Sequence, residues 1–446
     1  RKAGFFLICT YGKINIFSDM GIGPAKRFDK GVQLMNLTIE NDNTDLRNLL
    51  EATQAQAARK QDYIAPTTEL LCRTVQTPKG NRTQVVLEGK HGDSTKVLEA
   101  NPTAFEQMCS KVGVDVRTGR RFQEHYPDVL DHALNRIHQA EPRKAMLRTF
   151  DMSSFADVSE NLNPVVKHTF ADGSRIEAPD STGMLRAVVT DRFKTFDHPD
   201  LLGAVLPTLI ESDAQWKIVN AALTDKRLYL RLRSLTIEGQ GAAVGDAMAQ
   251  GIVISNSETG HGSISIAQLV WTLICLNGME TTNKSRSTHL TSARAESDVY
   301  KMLTDESKAL DNRALASKLR DIAAAYASRE MFEEVLEQMR AAGADRVVHG
   351  MDAAQPAVEA LGTVLKLTKA ETSSVFDGLL RTVQQPGYVG QPLSRATMVN
   401  AVTAAARNAA PDAVSDWHKL GGKVLDLPAN QWRAVAEVPV PVAVAA

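Results

Sequence analysis

The stretch Gly251–Met279, GIVISNSETGHGSISIAQLVWTLICLNGM, decides how the rest of the chain is read. It opens on the apolar run Ile252, Val253 and Ile254, and breaks into Ser255, Asn256, Ser257 and Glu258. It turns on Gly260 and Gly262, then alternates through Ser263, Ile264, Ser265 and Ile266. Apolar β-branched residues on both sides of a glycine-containing turn predict two strands meeting in a tight loop. The glycines supply positive φ or close backbone approach, so something is expected to pack or bind against this loop.

Outside this stretch, 446 residues exceed what one hydrophobic core usually serves, and two domains, or one with a helical appendage, are expected. A formal net charge of −1 excludes a globally basic nucleic-acid coat, so any anion-binding surface must be local. No apolar run approaches a membrane span. Cys9, Cys72, Cys109 and Cys275 are scattered and form no CxxC pair, a usage that suits a reducing cytoplasm and predicts neither a zinc site nor a disulfide framework. HExxH, GxxxxGK[ST] and GxSxG are all absent, and no cofactor or metal is expected.

Four regions are expected. Residues 1–34 read as non-native upstream read-through: Lys30, Gly31 and Val32 can be encoded by a purine-rich string resembling a ribosome-binding site ahead of Met35, with Met20 as the alternative start. Residues 35–294 are expected to form an α+β antiparallel-sheet domain with packed helices. Residues 295–435 form a mainly helical region, and 436–446 a disordered tail. Helices are predicted from Thr44, over Pro102–Val112, from Pro127, and over Pro199–Glu211, the last with Leu201, Leu202, Val205, Leu206 and Leu209 inside. The Pro127 helix is expected to bury Val129, Leu130, Ala133, Leu134 and Ile137, leaving His125, Asp128, Asp131, His132 and His138 on a solvated face. Strands are predicted at Leu70–Val75, Gln84–Glu88, Arg143–Phe150 and Val165–Glu177, and Leu185–Val189 is an apolar run leading into Asp191, Arg192, Phe193 and Lys194.

The hairpin Trp216–Leu235 carries the most chemistry. Leu228, Leu230 and Leu232 alternate with Arg227, Tyr229, Arg231 and Arg233, giving one aliphatic face and one basic face with an aromatic. Trp216–Ile237 holds five basic residues, Lys217 and Lys226 included, against Asp225 alone. Such a face is expected to track a phosphate backbone while Tyr229 stacks a base. The structural alternative is an outer strand face whose arginines pair with neighbouring acids. Arg192 and Lys194, and Lys284 and Arg286 in the acid-free Thr281–Arg294, extend the candidate nucleic-acid surface. Asn256, Ser257, Glu258, Gly260, His261, Gly262 and Asn277 form a second candidate site, in which polar side chains either cap the loop backbone or serve as acid and base.

Several stretches together resemble a prokaryotic phage and plasmid-like family called domain of unknown function 932. They are LRAVVTDRFKTFDHPDLL (Leu185–Leu202), AALTDKRLYLRL (Ala221–Leu232), the Gly251–Met279 stretch, His289, and MVNAVTAAAR (Met398–Arg407). The similarity runs from about Ala178 to Trp432, and NSETGHG followed by CLNG is its most specific part. Where relatives carry an aromatic after the late Ala-Val-Thr, this chain has Ala404. The resemblance implies a mobile element in a bacterial cytoplasm and supplies no established reaction.

Beyond Glu296 the chain turns acidic, with eleven acids against seven bases up to Asp345. Leu315, Leu319, Ile322 and Tyr326 form one helical stripe; Phe332, Val335, Leu336 and Met339 form a second, rotated across Ala327-Ser328. Such stripes serve either the sheet or a second subunit. Gly343 is expected to stop a helix, and Ser394 to cap one that turns Met398, Val399 and Val402 inward. The leading expectation is a phage- or plasmid-associated protein that binds single-stranded nucleic acid in replication or recombination, without catalysis. The rivals are a protein-interaction or inhibitor module working through the helical region, and an enzyme with its site around Asn256, Glu258, His261 and Asn277.

Overall fold

In the computed structural model, β11 (Leu228–Gln240) and β12 (Ala247–Asn256) lie inside one seven-stranded sheet, where they pair antiparallel with Tyr229 opposite Ser255 and Arg231 opposite Val253. The structure describes residues 37–39, 43–77, 80–88, 95–151, 165–169, 175–179, 183–242, 246–273, 277–281, 287–290, 303–385 and 387–439. They fall in one compact unit, Met35–Ala446. The 1–34 segment anticipated as read-through, Lys284 and Arg286 lie outside the described residues.

Before these strands, the chain forms β1 (Leu37–Ile39), α1 (Asn43–Arg59), β2 (Lys60–Pro66), β3 (Leu70–Thr77), β4 (Gly80–Leu87) and β5 (Lys96–Ala100). Helices α2 (Pro102–Lys111), α3 (Val116–His125) and α4 (Pro127–Ala140) follow, then β6 (Lys144–Asp151), β7 (Val165–Thr169), β8 (Arg175–Pro179) and β9 (Gly183–Thr190). Next come α5 (His198–Glu211) and β10 (Trp216–Leu223), and, after β12, β13 (Ile264–Thr272), β14 (Asn277–Glu280) and β15 (Ser287–Leu290). The large sheet runs β1-β10-β11-β12-β13-β14, with β15 also pairing β13; a six-stranded sheet runs β2-β6-β9-β5-β4-β3, and β7 pairs β8. The protein is mixed α+β, with a mainly helical C-terminal region.

The β12–β13 hairpin forms as the glycine signal predicts, with Ser255 opposite Ser265 and Ile254 opposite Ile266. Gly260 and Gly262 take φ of 79° and 145°, backbone that disfavours a side chain. One neighbouring pair, β5–β9, is parallel, which an all-antiparallel expectation misses. Parallel neighbours need a long crossover, and this one carries α2, α3 and α4. The apolar side of α5 buries all five expected residues. The α4 stripe is narrower than expected: Leu130 and Leu134 are buried, Val129 is exposed, and His138 is buried against Cys72. Asp131 is also engaged, accepting from the Thr74 amide at 2.6 Å.

The C-terminal helices are α6 (Asp305–Tyr326), α7 (Arg329–Ala344), α8 (Ala354–Leu365), α9 (Lys369–Val383), α10 (Arg395–Ala404), α11 (Pro411–Leu425) and α12 (Ala429–Ala436). Ser328 caps α7 and Ser394 caps α10, where the sequence places both breaks. Gly343 lies inside the last turn of α7, and its missing side chain makes room for Ala242. One core unites Met248, Val270 and Met279 of the large sheet with Phe332, Val335 and Val399, so the sequence division at 294/295 separates no two cores. The apolar stripe of α7 is therefore consumed within the chain. Ala436 and Val438 belong to that same core region, which corrects the disordered tail at its beginning; residues 440–446 lie outside the described ones.

Candidate functional site

Three stretches distant in sequence meet at the β12–β13 loop: the end of β9 with the turn into α5, the β10–β11 turn, and the loop itself. The loop is held from inside by ion pairs and hydrogen bonds. Arg186 donates to Glu258 Oε2 at 2.9 Å, and the His198 amide at the start of α5 donates to Oε1 at 2.8 Å. Burial raises the Glu258 carboxyl, but His198, Arg186, that backbone amide and Arg148 outweigh it and hold the acid well below the usual carboxylate range. Arg148, fully buried on β6, donates to the Glu258 carbonyl at 2.7 Å and to Asp197 at 2.9 Å, and pairs with Asp62 at 3.3 Å. Lys60 also pairs with Asp197. Two sheets are thus joined through charges that are all answered, the condition under which buried ions are tolerated.

The rest of the loop is fixed by its neutral groups. Asn256 donates to the Phe196 carbonyl at 2.8 Å, and Ser257 Oγ donates to the Lys226 carbonyl at 2.7 Å while accepting from the His261 amide. Gln107 of α2 bridges the loop to β9, donating to the Thr259 carbonyl and accepting from the Val188 amide. The Arg227 guanidinium donates to the His261 carbonyl at 2.6 Å and fills the space a side chain at Gly262 would need. That is the packing partner the glycines foretell. Of Asn256–Gly262, only Gly260, His261 and Gly262 reach solvent appreciably.

Gly260 and His261 do so at a cleft of about 430 Å³, lined also by Glu106, Lys111, Thr190 and Phe193 among others. Glu106 receives Lys226 at 2.9 Å. Burial, and then the nearby Lys226 ammonium, lower the His261 pKa, so its imidazole is neutral at neutral pH. Lys111 stands exposed at the rim of the cleft. Phe193 lies over the Arg148 guanidinium at 5.6 Å, which ties the cleft wall to the buried ion network.

The basic strand face is corrected by burial. Tyr229 is 2% exposed and Arg231 1%, with Ser415 of α11 set against Arg231 on that side of β11, while Leu228, Leu230 and Leu232 are buried on the other. Arg231 donates to Asn220 at 2.9 Å and to Ser415 of α11 at 2.7 Å. Burial pushes the Tyr229 hydroxyl up to about 12 and Arg231 down to about 10. Neither has a free face for a base or a phosphate in this arrangement. Lys194 pairs with Asp311 at 2.5 Å, while Arg192 and Lys217 are exposed.

The catalytic constellation is also corrected. Asn256 and Glu258 are sealed in the interior, His261 stands at the cleft beyond them, and the Asn277 side chain lies outside the described residues. Among the described residues no three His, Cys, Asp or Glu side chains converge as metal ligands, and no helix is long and apolar enough to cross a membrane. The sequence reading missed Arg148, Asp62, Asp197, Arg186 and His198 inside, and Glu106, Gln107 and Lys111 at the cleft. Their signal was a lone arginine inside each of two apolar strands, AMLRTF and LRAVV. Comparison with protein-family models, curated proteins and solved structures found no match to this chain.

Proposed function

We propose that the cleft beside Gly260 and His261 binds a nucleotide unit, either as a free nucleotide or as the end of a single-stranded nucleic acid. The observation that carries this is the placement of one aromatic ring, Phe193, and one ammonium, Lys111, on the walls of a cleft whose third wall is an immobilised loop. A base is recognised by stacking and a phosphate by a cation, and about 430 Å³ falls within the range of small-molecule sites. Preorganisation of the loop by Glu258, Ser257 and Gln107 removes ordering costs that binding would otherwise meet.

Titration calorimetry with adenosine monophosphate tests the reading. The intact chain should bind with one-to-one stoichiometry, and Phe193→Ala should weaken binding about tenfold or more, the effect of losing one stacked base. Equal affinity in both proteins, or no binding to the intact chain, removes the proposal. A thymidylate oligomer competing better than the monomer identifies the strand end; equal competition identifies the free nucleotide.

A further inference from the structure

We infer that His261 presents a bare Nε2 to the cleft as the acceptor for an exocyclic amine on the bound base, which makes the site selective for adenine or cytosine over bases with a carbonyl oxygen at that position. This inference deepens the cleft reading and rests on it.

The hydrogen bonds of the loop fix which imidazole nitrogen carries the hydrogen. Ser257 gives its single hydroxyl proton to the Lys226 carbonyl at 2.7 Å. The Thr259 hydroxyl, also with one proton, faces that carbonyl at 3.1 Å and the Asp225 carbonyl at 3.3 Å. Backbone carbonyls only accept, so the Thr259 proton turns to them, and its oxygen meets His261 Nδ1, 3.2 Å away, as an acceptor. Nδ1 therefore donates. In a neutral imidazole the other nitrogen then keeps its lone pair, and burial together with Lys226 keeps this ring neutral at neutral pH. Nε2 has no hydrogen-bond partner among the described residues, and the ring lines the cleft.

The position of the loop matches this acceptor to the edge of a base. A side-chain carbon at Gly260 would stand 3.9 Å from Phe193 Cε2, so the loop borders the ring on which a base stacks. A base lying on that ring turns its edge toward Gly260 and His261. Neighbouring polar groups are committed elsewhere: Gln107 uses both ends of its side-chain amide on the Thr259 carbonyl and the Val188 amide, and Glu106 receives Lys226. An amine hydrogen directed at Nε2 completes a hydrogen bond, whereas a carbonyl oxygen there sets lone pair against lone pair and leaves both without a donor. A site built around one hydrogen bond discriminates in this way.

Titration of the intact chain with adenosine monophosphate and with inosine monophosphate, whose base carries a carbonyl oxygen in place of the amine, tests the inference. Adenosine monophosphate should bind about tenfold tighter, the effect of one hydrogen bond made in place of one acceptor left unsatisfied. The amide and carbonyl of His261 hold Ser257 and Arg227 whatever its side chain, so His261→Leu keeps those contacts and removes the acceptor. It should bring the two affinities together. Equal affinity of the intact chain for both nucleotides, with Phe193→Ala weakening both, overturns this inference and leaves the cleft reading standing, as does a preference that survives His261→Leu. Binding of neither nucleotide removes the cleft reading, and this inference with it. If the variant does not fold, nitrogen NMR of the intact chain decides: a hydrogen on His261 Nδ1 and none on Nε2 supports the inference, and the reverse tautomer overturns it.

Discussion

Two buried guanidinium groups, Arg148 on β6 and Arg231 on β11, are both sealed from solvent, yet the protein treats them differently. Burial works against the charge of each. At Arg148, Asp197 and Asp62 outweigh that penalty and raise its pKa, and the Glu258 carbonyl fills another hydrogen-bonding position. At Arg231 burial wins, and the pKa falls to about 10, since its hydrogen-bond partners are the neutral Asn220 and Ser415 and Glu280 offsets the loss only in part. Equal burial therefore conceals opposite roles. Arg148 is a joint between sheets, answered by carboxylates, whereas Arg231 is a buried charge whose hydrogen-bond partners are neutral.

The contrast breaks first under mutation of the joint. Arg148→Met leaves Asp62 and Asp197 without their main cation, and urea unfolding should show a loss of about 3–5 kcal/mol, typical of a buried pair with one partner removed. A loss below about 1 kcal/mol would show that the network is no joint. Arg231→Met should cost far less and leave the unfolding midpoint near that of the intact chain, because replacing an incompletely paired buried charge by apolar volume is often neutral or favourable. A large destabilisation there would erase the difference between the two sites.

A smaller effect sharpens the comparison through pH. Glu280, buried beside Arg231 and 3.9 Å from Lys419, is raised by burial from its ordinary 4.5 to about 7. The folded state holds this proton where the unfolded state has released it, so the contribution is fully present below about 4.5 and lost as pH rises through 7. His418 runs the other way: burial, and then Arg231, hold it well below 6.5, so its contribution is present above 6.5 and falls as pH drops further. Glu280→Gln should therefore raise the melting temperature at pH 8 relative to the intact chain, and the advantage should shrink at pH 5. An advantage of the same size at both pH values would contradict the assignment.

The sequence made the hairpin legible because its information is local: glycines at the turn, β-branched alternation beside it, and a cap at Ser394. It made the β11 face misleading for the opposite reason. Leucine and arginine in alternation describe two faces, but the residue that covers the second, Ser415, lies 184 positions beyond Arg231. Periodicity cannot report such a partner. The polar loop fell between these cases. Ser257 does cap backbone as expected and Thr259 joins it, while Glu258 reaches Arg186, whose position inside an apolar strand was the available clue. The short strands β2 and β5 and the helix α3 carry neither a long apolar stripe nor a strong turn, and only tertiary packing specifies them.

Histidine resonances read directly where a ligand meets the protein. Adenosine monophosphate added to the intact chain should shift the imidazole signals of His261 at the cleft and leave those of His198 and His418, both sealed in the interior, where they were. A silent His261, or equal shifts at all three, would contradict the account.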